Sequence, residues 1–270
     1  MRAPPHLPFL DRPTAFTVGL KPLPLSAWLT PDWEAAALPE KAVLLTHRQG
    51  EVYGAAPGSA PGEAEAAALV AQAAEGSSGT TLADAARLVS DDLVLMEQRG
   101  GAWTATAAAL CSPTYFSVAD ALGSTLALLH GPVPAGEGFA DRIGRVFSMI
   151  RPEEPLERFN WTVQPTAQRF TPSSAPLKAM AEAIPDHAAL DVMHLRVERQ
   201  TIRRLPQTGG VLFTIRVSLD PLRAVFAAAG GREAFAAAWA TAPDNLRRYK
   251  GWAHYERLVQ AALNLSENGR

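Results

Sequence analysis

One cysteine, Cys111, occurs in 270 residues. No internal disulfide can form, and such usage fits a reducing compartment. No Cys/His group has the spacing of a zinc site. Charge is nearly balanced, with 25 basic against 27 acidic side chains and a formal net charge of −2. A chain so balanced has no global attraction for nucleic acid or an anionic membrane. No run approaches the ~18 consecutive apolar residues of a membrane span. Pro4, Pro5, Pro8 and Asp11 interrupt any apolar region of a leader peptide. Neither a Gly-x-Gly-x-x-Gly nor a phosphate-loop lysine motif is present, and spacing alone supports no Ser-His-Asp arrangement. These absences predict a cytoplasmic protein with neither nucleic acid nor membrane among its partners.

What the sequence does hold is apolar content of 47%, enough for one core spread over a single domain, residues 1–270. Thr14–Leu20 alternates loosely as a strand. Thr30-Pro31-Asp32 opens a helix, with Thr30 as N-cap and Pro31 at its first position. Ala42–Leu45 is a short apolar run expected to be a strand. A Gly/Pro-rich loop over 54–62 leads into a helix over 62–75, and Thr81–Asp84 opens another. Leu93–Gln98 and Ala102–Thr106 flank Arg99-Gly100-Gly101 and predict a hairpin. Ser117 and Asp120 form a capping box for a helix running to His130, which Gly131-Pro132-Val133-Pro134 ends. A helix follows over about 138–150.

A second hairpin comes later. In Val192–Gln200, Met193, Leu195 and Val197 point one way and His194, Arg196, Glu198 and Gln200 the other. Pro206–Gly210 turns the chain, and Val211, Phe213, Ile215, Val217 and Leu219 form an apolar face of the next strand. This reading places Arg196, Glu198, Thr214 and Arg216 on polar faces that meet. Residues 221–265 are helical. Hairpins on both sides of a helical stretch give an α/β chain of the α+β kind, with a largely antiparallel sheet and helices against it.

The densest chemistry is Leu195-Arg196-Val197-Glu198-Arg199-Gln200-Thr201-Ile202-Arg203-Arg204. It reads either as a solvated strand and turn or as a buried array whose arginines demand anionic partners. Leu126–His130 offers an imidazole at the end of an apolar helix. That imidazole either caps free carbonyls or serves as a metal or haem ligand. Arg158-Phe159-Asn160-Trp161 sets polar beside aromatic residues on a strand. Cys111 is either a buried small hydrophobe or a thiolate ligand.

The arginine-rich run, with Thr208-Gly209 and Phe213-Thr214-Ile215-Arg216, resembles the haem (alpha) subunit of haem-dependent oxidative N-demethylases. So do Asp91–Leu95, Leu129-His130-Gly131-Pro132-Val133-Pro134 and Arg158-Phe159-Asn160-Trp161, together with Gly19–Leu23 and Trp28-Leu29 near the N-terminus. The resemblance covers about residues 7–220. It implies a PAS-like antiparallel sheet with helices enclosing haem b, an N-terminal extension and C-terminal helices. It implies a monooxygenase that demethylates a small secondary amine, dimethylamine-like, with O2, and releases formaldehyde. NADPH, FMN and a 2Fe–2S cluster would act only through a partner reductase.

Carried over by residue, the resemblance makes His130 the axial iron ligand. Arg196, Arg199 and Arg216 fall at positions able to pair haem propionates or line the distal side. Glu198 would orient an arginine or attract an ammonium substrate, with Glu198 and Arg196 as the catalytic pair. Asn160 and Trp161 would line the cavity. The sequence departs from the family at Val217-Ser218-Leu219, where relatives carry a threonine–tyrosine pair. The alternative to an enzyme is a haem-binding PAS-like sensor or carrier without turnover.

Overall fold

The computed structural model describes residues 2–10, 19–29, 37–130 and 138–267. In chain order these form β1 (Lys21–Pro22), α1 (Ala37–His47), α2 (Gln49–Val52), β2 (Tyr53–Ala55), α3 (Ala60–Ala73), α4 (Leu82–Ala85), β3 (Asp92–Arg99) and β4 (Ala102–Ala109). Then come α5 (Val118–Ala121), α6 (Leu126–His130), α7 (Phe139–Met149), β5 (Leu156–Gln164), α8 (Ala175–Ala183) and α9 (Ala189–Val192). The chain continues with β6 (His194–Arg204), β7 (Val211–Pro221), α10 (Leu222–Ala227), α11 (Gly231–Thr241), α12 (Asp244–Tyr249) and α13 (Glu256–Glu267). The strands make one antiparallel sheet in the order β1-β5-β6-β7-β3-β4-β2, an α+β fold.

Both expected hairpins form. The β3–β4 turn places Gly100 and Gly101 at φ +56° and +83°, where a side chain would be strained. The β6–β7 hairpin is the backbone of the sheet. It pairs without interruption from His194 opposite Pro221 to Arg204 opposite Val211, and β5 joins its outer side from Leu156 to Gln164.

Strand alternation then sorts the side chains onto two faces. On the first face, Leu195 and Val197 meet helices α9–α11 and α13 through Met193, Leu222, Phe235, Trp239, Leu258 and Val259. Further along it, Leu93, Leu95, Ala107, Ala109 and Leu212 pack on α1, α3 and α4. On the second face, Val94, Met96, Ala105, Ala108, Ile202 and Val211 pack on α5–α7 through Val118, Leu126, Ile143 and Phe147.

Four expectations change. Ala42–Leu45 lies within helix α1, not a strand. A four-residue apolar run carries no period of its own, and here Lys41 and Leu45 share the buried side of a helical turn. The stretch from Ser117 to His130 is two short helices, not one. The capping box at Ser117 and Asp120 is present. Gly123, at φ +80°, then breaks the helix. Its N–H donates to the Ala105 carbonyl, and Ser124 returns a carbonyl to Ala105 N–H, so this segment serves β4. The loop expected over 54–62 is shorter, since it overlaps the end of β2, which pairs with β4, and the start of α3. Lastly, Thr214 and Arg216 face away from Arg196 and Glu198, because Thr214 pairs with Thr201 and Arg216 with Arg199 across the hairpin. Most of the strand expected over 14–20, the cap at Thr30-Pro31 and the turn at 131–134 lie outside the described residues.

The β6–β7 turn is held by a buried carboxylate. Glu65 of α3 accepts from Gln207 N, Thr208 N and Thr208 Oγ1 at 2.6, 2.7 and 2.6 Å. Glu65→Ala removes these charge-assisted bonds and is expected to lower unfolding free energy by about 2 kcal/mol. Urea denaturation checks this, and a change within ±0.5 kcal/mol, the range of ordinary surface substitutions, would show that water replaces the carboxylate.

Candidate functional site

The second face of the sheet is not uniformly sealed. β7 is the fourth of seven strands, yet Phe213 and Ile215 on this face remain partly exposed. Val217 and Leu219 continue the same apolar row. An antiparallel sheet can leave part of one face to solvent, but apolar side chains there are then unusual. Here the α5–α7 layer covers the Val211 end only. The strip beside this row is polar: His194, Arg196, Glu198 and Gln200 on β6 share the face with Arg158, Asn160, Thr162 and Gln164 on β5. On this face the partly buried Phe213 and Ile215 thus lie beside a polar strip in which Arg196, Glu198 and Gln200 are buried and Arg158 and Asn160 partly so.

Arg196 is 0% exposed, and four acceptors meet it. Its Nε donates to Thr114 Oγ1 at 2.7 Å, its Nη1 to Gln164 Oε1 and the Arg169 carbonyl at 3.2 Å each, and its Nη2 to the Ser112 carbonyl. Burial lowers its pKa, opposed by Glu198 and Asp92.

Glu198, 8% exposed, accepts from Asn160 Nδ2 at 3.1 Å and Gln200 Nε2 at 2.8 Å on one oxygen, and from Thr114 Oγ1 on the other. Burial alone would raise its pKa. Arg196, the Thr114 and Asn160 bonds and Lys250 outweigh that and hold it below the ordinary value. A carboxylate takes about four hydrogen bonds. The three seen among the described residues leave room for one more on the Thr114 side.

Thr114 comes from the segment after β4, which Asp92 holds in place. Asp92 Oδ1 accepts from Cys111 N at 2.8 Å, and Oδ2 accepts from Ser112 N at 2.8 Å. Burial pushes the Asp92 carboxyl up to about 6, against Lys41 and these N–H groups. The next residue, Tyr115, has φ +56°, a costly conformation for an aromatic residue. Its hydroxyl lies 2.8 Å from the Tyr255 hydroxyl. Thr114 also bridges to Thr171. The segment therefore lies across the sheet and presents Thr114 to both Arg196 and Glu198.

The other residues singled out from sequence go elsewhere. Arg199 and Arg216 are on the first face. Arg199 donates to Glu157 and to the Trp28 and Ala27 carbonyls, and Arg216 pairs with Asp91. Trp161 also belongs to the first face, among Phe9, Phe235 and Trp252. Cys111 is buried with the α1, α3 and α4 residues, and burial pushes its thiol up to about 12, so it is an uncharged core residue. His130 ends α6, but its side chain lies outside the described set. No group of three or more His, Cys, Asp or Glu side chains capable of holding a metal occurs among the described residues. No helix among them is long and apolar enough to cross a membrane.

Three participants were missed from sequence. Thr114 sits in an unremarkable Ser112-Pro113-Thr114 turn. Arg158 was quoted only as part of a motif, yet it sits half-buried on the same polar strip, opposite Gln200. Lys250 lies in a charged helix end that reads as solvated, yet burial lowers its ammonium pKa to about 8, with Glu198 opposing the shift.

Arg196→Leu would strip four acceptors of their donor in a closed interior. The expected loss of unfolding free energy is about 3–5 kcal/mol, measured by chemical denaturation. A loss below about 1 kcal/mol, the worth of an exposed ion pair, would show that the surrounding carbonyls find other donors.

The sheet order, the two-toned face and the buried arginine–glutamate pair are the context for comparison with known proteins. Residues 65–260, nearly three quarters of the chain, match the family described as haem-dependent oxidative N-demethylase, alpha subunit-like. This span contains β3–β7 and every residue of the Arg196–Glu198 cluster, and on that match the chain belongs to this family.

Proposed function

We propose that this chain is the haem-binding subunit of an oxidative N-demethylase acting on a small secondary amine of the dimethylamine kind. O2 and two electrons are consumed. One oxygen atom ends in formaldehyde with the methyl carbon, and the other leaves as water with two protons. The electrons come from NADPH through a separate reductase carrying FMN and a 2Fe–2S cluster.

The residues present suit a porphyrin. Its faces need apolar contact, which the partly exposed Phe213 and Ile215 offer, with the buried Val217 and Leu219 continuing their row. Leu126 and the partly buried Leu129 place α6 in the layer facing that face, and His130, which ends this helix, would hold the iron. Arg158, partly buried on the polar strip, is a cation that could meet a propionate. Arg196, whose donors are engaged, holds the strip together, while Arg199 and Arg216 brace the opposite face. Asn160 lies on the strip, and Trp161 supports it from behind. Bound haem supplies the oxygen chemistry, and the protein supplies ligand, pocket and charge.

The observation that carries the amine specificity is Glu198. It is a buried carboxylate held ionised by neighbouring donors, with one acceptor position still open. A cationic ammonium would complete that set with a stronger, charge-assisted bond than a neutral donor, and an anionic ligand would be repelled. The hydrogen bond to the amine also fixes the position of its methyl groups. Glu198 thereby orients the substrate, and the Thr114, Asn160 and Gln200 bonds orient Glu198.

Freshly purified protein, or protein given hemin, is expected to show a Soret band, and His130→Ala is expected to lose haem or change its ligation spectrum. With a reductase, the loaded protein should release formaldehyde in proportion to the secondary amine. Glu198→Gln should keep the haem but raise the KM for the amine by about 10- to 100-fold, the worth of a charged hydrogen bond. A colourless preparation indifferent to hemin would remove the haem reading, and an unchanged KM in Glu198→Gln would remove Glu198 from substrate binding.

A further inference from the structure

Lys250 follows α12 and reaches the C-terminal half of β5. Its Nζ donates to Asn160 Oδ1 at 2.7 Å and to the Trp161 carbonyl, and it lies 6.0 and 5.8 Å from the ring centroids of Trp161 and Trp252. Asn160 Nδ2 donates in turn to Glu198 Oε2 at 3.1 Å. The direction of this relay follows from chemistry. An ammonium only donates and an ionised carboxylate only accepts. An amide placed between them has one satisfactory orientation, with its oxygen toward Lys250 and its NH2 toward Glu198. Reversal would set NH2 against ammonium and oxygen against carboxylate, with two repulsive contacts in a site that admits little water.

We infer that Lys250 is a positioning residue for Glu198: through Asn160 it fixes which face of the amide meets the carboxylate and keeps that carboxylate ionised and ready for a cationic ligand. The identity of that ligand rests on the function proposed above, whereas the Lys250–Asn160–Glu198 relay stands without it. The charged and titratable groups around Glu198 come from several elements. Arg196 is on β6, Arg158 on β5, and Tyr249 and Lys250 lie at and just after the end of α12. Arg196 acts from the Thr114 side, since both it and Glu198 bond Thr114 Oγ1. Lys250 acts from the opposite carboxylate oxygen. The two cations therefore hold the carboxylate from its two ends.

The test is the titration of the Glu198 side-chain carboxyl in the full-length protein, followed by carbon NMR of 13C-labelled glutamate and assigned with Glu198→Gln. In the unaltered chain the midpoint is expected below the ordinary carboxylate range. Lys250→Met should raise it by about one pH unit, since loss of an opposite charge and of a bond that favours the ionised form both act upward. Lys250→Arg should restore most of the difference. Lys250→Gln, which keeps a donor but removes the charge, should raise the midpoint as well, and it decides the matter if Lys250→Met does not fold. An unmoved midpoint in folded Lys250→Met or Lys250→Gln overturns the inference. Running the titration before and after adding hemin separates the two ideas: a shift seen without hemin supports the relay even in a chain that never takes up haem.

Discussion

A guanidinium sealed inside a protein needs acceptors on every side, and much of this structure is arranged to supply them to Arg196. The four acceptors come from three separate places: the segment after β4, which gives the Ser112 carbonyl and the Thr114 hydroxyl, the end of β5, and the segment around Arg169. No two adjacent strands could provide them. The sheet must be complete, and the segment from Cys111 to Tyr115 must lie across it, before the charge is compensated. Asp92, which anchors that segment by its N–H groups, thus contributes to the site without touching it. The unfavourable backbone of Tyr115 belongs to the same arrangement, since a relaxed turn would carry Thr114 away from Glu198.

The two faces of the sheet divide the labour. The first is closed by two apolar clusters with a band of paired charge between them, where Arg199 meets Glu157 and Arg216 meets Asp91. It gives rigidity. The second has one apolar cluster at one end, and beside its polar strip Phe213 and Ile215 stay only partly buried. Both use arginine, and the difference lies in alternation along one strand: odd-numbered Arg199 is on the first face, while even-numbered Arg196 and Glu198 are on the second.

Local patterns made much of this visible before any coordinates. Glycine pairs marked the hairpins, and the row Val211 to Leu219 showed a strand with one apolar side. The pairing Ser117–Asp120 named a helix start. Three things stayed hidden, each for a physical reason. Ala42–Leu45 was too short to have a period. The break at Gly123 depends on hydrogen bonds to Ala105, a non-local demand that helix propensity does not see. The facing of Thr214 and Arg216 depends on hairpin register, and one residue of slip exchanges the faces. Within the site, Glu198, Arg196 and Asn160 were singled out from charge density and resemblance. Thr114 and Lys250 were not, because what makes them special is where distant segments place them.

The C-terminal half of β5 has no strand on its outer side among the described residues, since β1 pairs only with Leu156 and Glu157. An open strand border of that length is a template on which another molecule can add its own backbone. Lys250 occupies the Trp161 carbonyl, and Trp252 covers Thr162 alongside it. With the Trp161 carbonyl taken by Lys250 and its neighbour Thr162 capped by Trp252, this stretch of the border has fewer free backbone groups for an added strand to pair with.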